Sequence, residues 1–154
     1  MTVSAPEDAS IEGLIPHRGR MRLVERLLSV TGDRARIGTR VGADWPLCGP
    51  QGVPAMVLVE AVAQAAGLLM GRRKSQERMG GRGWLVGVKS ASLARGAIPV
   101  GTALEIEVEI LHEVDVYVVF RGRARAGEHT LAEVEIQTFQ PAEMAAYMGE
   151  ERDT

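Results

Sequence analysis

The stretch Val53-Pro54-Ala55-Met56-Val57-Leu58-Val59-Glu60-Ala61-Val62-Ala63-Gln64-Ala65-Ala66-Gly67-Leu68-Leu69-Met70 decides how the rest of this chain must be arranged. It reads as a helix over Pro54 to Met70, with proline at a tolerated first-turn position. Such a helix has no polar face: Glu60 and Gln64 are its only polar side chains, so it is too apolar to lie on a surface. A membrane span is the competing reading, because Arg72, Arg73 and Lys74 follow like a positively charged flank. The run is at the short limit for a span, carries an acid and an amide, and lies between segments patterned as soluble strands. It therefore belongs in the centre of a globular core, and something must wrap it.

The wrapping is legible downstream. Leu104, Ile106, Val108 and Ile110 alternate with Glu105, Glu107 and Glu109, and a later segment alternates Phe120, Gly122 and Ala124 with Arg121, Arg123 and Arg125. A turn centred on Asp115 sets Glu109 opposite Arg121, Glu107 opposite Arg123 and Glu105 opposite Arg125, three opposite-charge pairs in one antiparallel register. A second turn centred on Glu128, with Gly127 supplying backbone freedom, sets Arg123 against Glu133 and Arg121 against Glu135. Exposed pairs of this kind contribute only ~0.2–1 kcal/mol each, so they specify register while burial of the opposite face supplies stability. That inward face carries Gly122, Ala124 and Ala132, small enough to let a helix come close.

Upstream, Arg34 to Val41 is a strand with Ala35, Ile37, Thr39 and Val41 on one face. Met21 to Val30 fits a helix or a half-buried strand equally well by pattern. A short turn or helix is expected near Ile11 to Ile15, a connection over Gly71 to Gly83, and a further strand over Trp84 to Leu93. Residues 1–10 and 142–154 read as arms flanking one domain over residues 11–141.

The chain has 154 residues, 45% hydrophobic and 25% charged, with a formal charge of −2, so no overall field favours nucleic acid or an anionic membrane. Its one cysteine, Cys48, excludes an internal disulfide and a cysteine-based zinc site, and no metal-ligand cluster or cofactor motif is visible. With no basic-then-apolar leader at its start, a cytoplasmic protein without a cofactor is expected.

Glu60 is the residue that most needs an explanation. Burial in such an apolar setting would favour its protonated acid. Gln64 follows one helical turn later, so the two polar groups can touch each other or one shared ligand. The alternatives are that they form a thin solvated stripe, or hold a neighbouring loop in place.

Three stretches resemble the 3-hydroxyacyl-[acyl carrier protein] dehydratases of the FabA/FabZ type, particularly their aryl-polyene-pathway relatives. They are Leu14-Ile15-Pro16-His17-Arg18-Gly19 leading into Met21-Arg22-Leu23-Val24-Glu25-Arg26, Gly52-Val53-Pro54-Ala55 running to Gln64, and Gly83 to Leu93 followed by Ile98-Pro99-Val100-Gly101. The likeness covers residues 11–141. It implies an α+β hot-dog fold, an antiparallel sheet wrapped around the long apolar helix, and assigns Met21 to Val30 to a strand.

In that family a helix acid from one subunit and a histidine from the other remove water from a 3-hydroxyacyl thioester. The resemblance places Glu60 at the acid, Gln64 at a positioning glutamine, and the Ala55 backbone amide, where the family usually has glycine, at the stabilising donor for the thioester oxygen. It places Cys48, Val53 and Pro54 on the substrate side of the pocket. The family's histidine position is occupied by Pro46, within Asp44-Trp45-Pro46-Leu47-Cys48-Gly49-Pro50, which has no imidazole. Of the chain's three histidines, His112 and His129 fall at strand ends, and His17 in the opening motif is the candidate replacement base.

The implied partners are an acyl carrier protein or acyl-CoA thioester and a second hot-dog subunit, in a homo-dimer or hetero-dimer. Arg72, Arg73, Lys74, Arg82, Lys89 and Arg95 are candidates for an acidic carrier surface, or serve helix-end electrostatics and solubility. A dehydratase-like protein is the leading reading. A non-catalytic acyl-binding partner subunit and a hot-dog thioesterase are the alternatives.

Overall fold

The computed structural model describes residues 11–77 and 84–139, the side chains of residues 74–77 excepted; the proposed arms, the end of the proposed domain and Arg82 lie outside the described residues. In chain order come helix α1 (Ile11–Leu14), a 3-10 turn (Gly19–Met21), strands β1 (Arg26–Thr31), β2 (Arg34–Arg40) and β3 (Val53–Pro54), and helix α2 (Val57–Glu77). Strands β4 (Trp84–Leu93), β5 (Ala97–Ile98), β6 (Ala103–Val114), β7 (Tyr117–Ala126) and β8 (His129–Phe139) follow. Six strands form one antiparallel sheet in the order β1-β2-β6-β7-β8-β4, while β3 and β5 pair separately.

The inward face of this sheet packs on α2, as the apolar helix requires. Leu58, Ala61, Val62, Ala65, Leu68 and Leu69 on the helix, and Ile37, Ile106, Val108, Phe120, Ala124, Ala132 and Ile136 on the sheet, are all fully buried. The closest approach is at Gly122, where a Cβ atom would meet Val62 Cγ1 at 2.1 Å. A side chain of any size at this position would push the helix off the sheet.

The charge pairs stand in the expected register: Glu109 faces Arg121, Glu107 faces Arg123 and Glu105 faces Arg125, while Arg121 and Arg123 also face Glu135 and Glu133. The ladder continues onto β2, with Arg34 opposite Glu109 and Arg36 opposite Glu107. The turns differ from expectation. Val114 pairs Tyr117 and Ala126 pairs His129, so the loops are the two-residue pairs Asp115-Val116 and Gly127-Glu128, not centred on Asp115 or Glu128. Each begins with a positive φ, 54° at Asp115 and 57° at Gly127. A bulge between Ile110 and His112 in one hairpin, and a shift between Ala124 and Arg125 in the other, restore the charge-paired register. Two-residue turns suit strand twist, charge and burial demand the other register, and one extra residue reconciles them.

Three further expectations are corrected. The helix begins at Val57, because Pro54 is held in β3 opposite Ala97, and it continues to Glu77 through residues read as a connection. The strand expected over Met21 to Val30 starts at Arg26, since Met21 closes the 3-10 turn. Between them, the Leu23 backbone is satisfied by side chains: its N–H donates to Gln64 Oε1 at 2.8 Å and its carbonyl accepts from Thr39 Oγ1 at 2.5 Å. A strand partner is not needed there. Glu60, expected as a buried acid, keeps 38% of its side chain exposed.

Candidate active site

The site is built where α1 lies across α2. Gly67 and Gly71 make that crossing possible: a Cβ on Gly71 would meet the Leu14 carbonyl at 2.7 Å, and one on Gly67 would meet Ile15 Cγ2 at 3.1 Å. After α1 the chain turns sharply, and Arg18 holds the turn. Its guanidinium donates to the carbonyls of Ile15 at 2.7 Å, His17 at 2.9 Å and Glu12 at 2.6 Å. Carbonyls left open at a helix C-terminus are satisfied in this way by a basic side chain. The consequence is that His17 is delivered to the first turn of α2.

There, His17 Nε2 lies 3.3 Å from Glu60 Oε1. Gln64 Nε2 donates to the same oxygen at 2.9 Å and to the Met21 carbonyl at 2.7 Å. Gln64 is 1% exposed and every hydrogen-bonding atom of its amide is used, which explains how an amide is tolerated at the centre of an apolar helix. It is an anchor for residues 21–23 as well as a neighbour of the acid, so the reading that it holds a loop in place is correct. Glu60 Oε2 has no hydrogen-bond partner among the described residues, and His17 Nδ1 is buried without one.

The other candidates are dispersed around this cluster. Ala55 is buried immediately before α2, and its carbonyl accepts from Leu58 N at 3.0 Å in the tightened first turn. Val53 is fully buried and is part of the core, whereas Pro54 and Cys48 are half-buried. Cys48 lies in a compact loop in which Leu47 takes φ 60° and the Gly49 and Gly52 backbones bond each other, and its thiol faces only the Gly49 carbonyl, at 3.7 Å. Pro46 is in the same loop, so that loop brings no imidazole to Glu60. His112 and His129 are exposed on the sheet. Among the suggested carrier-facing cations, Arg73 pairs Glu113 at 2.8 Å and Lys89 approaches Glu135 at 3.6 Å. Their charges are engaged with the protein's own carboxylates.

Sequence reasoning missed Arg18, Leu23 and Thr39, which hold the site together. Only Arg18 carried a signal, as a basic residue just beyond a short helix. Among the described residues no cluster of three or more metal-ligating side chains occurs, and no helix is long and apolar enough to cross a membrane.

This arrangement matches known proteins over nearly its whole length. At the level of sequence, 132 residues are 32% identical to a 3-hydroxyacyl-[acyl-carrier-protein] dehydratase FabZ of Pelotomaculum thermopropionicum, covering 82% of this chain and 92% of that protein. The FabZ of Moorella thermoacetica is 30% identical over 134 residues, covering 82% and 91%. At the level of fold, the dehydratase heterocomplex ApeI:P from Xenorhabdus doucetiae aligns with a TM-score of 0.78 at 21% identity, over 90% of this chain and 96% of that one. A hypothetical thioesterase from Streptococcus pneumoniae solved with coenzyme A aligns with a TM-score of 0.59 at 14% identity, over 75% and 84%. Residues 9–149 match the ApeP dehydratase family, and with a hot-dog sheet around α2 and the Glu60-Gln64 pair in place, the chain belongs to the ApeP-like dehydratases.

Proposed function

We propose that this chain acts on 3-hydroxyacyl thioesters carried on an acyl carrier protein, removing water to leave the 2,3-unsaturated thioester, in a pathway of the aryl-polyene or fatty-acid type. The observation that carries this reading is the Glu60 carboxyl. It matches the family's acid position, held on one oxygen by Gln64 at 2.9 Å, with no hydrogen bond from the described residues on the other oxygen and a half-exposed side chain. A carboxyl so fixed can exchange a proton with the hydroxyl of a bound substrate. Ala55, buried just before α2, is assigned the backbone N–H that donates to the thioester oxygen as charge develops on it. Half-buried Cys48 and Pro54 are assigned to the substrate side on the family likeness, whereas Val53 is fully buried in the core.

A second hot-dog subunit completes the reading. Strand β4 is an edge of the main sheet, and Trp84, Leu85, Val86, Val88 and Leu93 on it are 61%, 42%, 53%, 47% and 38% exposed. A ten-residue edge strand with five exposed apolar side chains is a template for another strand. The related ApeI:P assembly is a heterocomplex, which favours a hetero-dimer with a related subunit over a homo-dimer. The protein would work in the cytoplasm, where carrier-bound intermediates are made.

Pro46, in place of the family's loop histidine, favours one other reading, a non-catalytic subunit that binds acyl chains and supports an active relative. One experiment separates these. The purified chain is incubated with 3-hydroxyacyl and saturated acyl carrier thioesters, alone and with its hot-dog partner, and the products are weighed by mass spectrometry. Loss of one water, abolished by Glu60→Gln, is expected. Release of free acid indicates a thioesterase, and binding without turnover indicates the accessory subunit; either result refutes the dehydratase reading.

A further inference from the structure

Only three polar side chains are buried among the described residues, Thr39, Gln64 and Thr138. Two of them meet at one residue. Gln64, on α2, accepts from the Leu23 N–H at 2.8 Å, and Thr39, on the inward face of β2, donates from Oγ1 to the Leu23 carbonyl at 2.5 Å. Thr39 shares its face with Ala35, Ile37 and Val41 and stands opposite Leu104 of β6, all buried. Packing there is met equally well by valine, which has the same shape and suits a strand. A hydroxyl is costly in such a setting unless it is bonded, and this one bonds a residue that lies between the 3-10 turn and β1, outside any strand ladder.

From Leu23 the connection runs to the acid. The Gln64 amide takes its orientation from two backbone groups of one segment, the Leu23 N–H on its oxygen and the Met21 carbonyl, 2.7 Å from its nitrogen. The remaining amide N–H is thereby aimed at Glu60 Oε1, at 2.9 Å. The segment that orients the amide is itself fixed to the sheet by Thr39.

We propose that Thr39 is a positioning residue for the reaction: its hydroxyl ties residues 21–23 to β2 and, through them and Gln64, holds the Glu60 carboxyl in place. The inference rests on the reading of Glu60 as the acid of a dehydratase site. It applies whichever histidine works opposite that acid, His17 or one brought by a second subunit. Without the Thr39 hydroxyl the Leu23 carbonyl is left unpaired in the core, and residues 21–23 shift toward another donor. The Gln64 amide follows them, and its N–H on Glu60 Oε1 weakens. A carboxylate that loses a donor is less favoured over its protonated form, so Glu60 titrates at higher pH than in the parent. His17 Nε2, 3.3 Å from the same oxygen, sits on the turn held by Arg18, which does not involve Thr39.

The test compares the full-length chain, assembled with its hot-dog partner, with two variants. Thr39→Val keeps the shape and removes the donor, and Thr39→Ser keeps the donor; Thr39→Ala replaces Thr39→Val if the latter does not fold. Two quantities are read: kcat and KM for dehydration of 3-hydroxybutyryl-pantetheine, and titration of the Glu60 carboxyl by carbon NMR, its signal identified by its loss in Glu60→Gln. Thr39→Val is expected to lower kcat about tenfold with KM within about twofold, and to move the Glu60 titration to higher pH. Thr39→Ser keeps kcat within about threefold of the parent and restores the titration. A Thr39→Val protein with the parent's kcat and titration overturns the proposal even if its urea midpoint falls, because the hydroxyl then serves the fold alone. A Thr39→Ser protein as impaired as Thr39→Val also overturns it. A parent that never loses water, with a titration that moves in Thr39→Val and returns in Thr39→Ser, refutes the dehydratase reading and leaves Thr39 as the residue that positions Glu60. Neither turnover nor movement refutes both.

Discussion

Replacing Gly122 by alanine tests the central packing statement, that α2 touches the sheet at this residue. The new Cβ would stand 2.1 Å from Val62 Cγ1 and 3.1 Å from its Cβ, and Val62 is fully buried and β-branched, with little rotameric freedom on a helix. Overpacking a dense core costs ~1–3 kcal/mol, offset by ~0.5–1 kcal/mol from removing a strand glycine. The net destabilisation is about 1–2 kcal/mol, a fall of roughly 2–8 °C in Tm for a chain of this size. Val62→Ala alone removes two buried methyl groups, at ~0.8 kcal/mol each plus a cavity cost. The double variant should recover ~1 kcal/mol relative to the sum of the two, because the methyl added at Gly122 fills space vacated by Val62. Urea denaturation at one fixed protein concentration, so that any oligomer contributes equally, measures all four proteins. A Gly122→Ala protein as stable as the parent, or strictly additive losses in the double variant, would refute this picture of the helix–sheet contact.

Gln64→Leu keeps the volume but leaves the Leu23 N–H and the Met21 carbonyl without their side-chain partner, at ~1–3 kcal/mol for each buried group. A midpoint loss below 1 kcal/mol in urea would show that the amide is not the anchor of residues 21–23. Val86→Asp on the exposed edge should shift the assembled protein toward monomers in light scattering, with secondary structure unchanged by circular dichroism. An unaltered mass would place the subunit interface elsewhere.

Much of the fold is legible without coordinates because it depends on periodicities that run along the chain. The period-two alternation of β2, β6, β7 and β8 states which face is inward, and the Arg and Glu rows state which residues must meet. The apolar character of residues 53–70 states that the sheet must wrap a helix. Boundaries and turns are less visible, since they record compromises between neighbours. Pro54 reads as a helix start, but pairing with Ala97 holds it in a strand. Asp115 and Glu128 read as turn centres, but the two-residue turns prevail and Leu111 and Leu131 are left as the extra residues.

The site divides in the same way. The four-residue spacing of Glu60 and Gln64 guarantees that they share a helical stripe, and family likeness makes Glu60 the candidate acid. The spacing carries no information about solvent or about partners distant in sequence. Only the packed chain leaves Glu60 half-exposed while burying Gln64 beneath residues 21–23. Only the crossing of α1 over Gly67 and Gly71, with Arg18 holding the turn that follows, brings His17 to Glu60 across forty-three positions of sequence. Sequence by itself therefore determined the layers and the charge-paired register, because those follow from local periodicity. Tertiary structure decided which oxygen of that acid is free, because that depends on donors contributed by segments that meet only when the core closes.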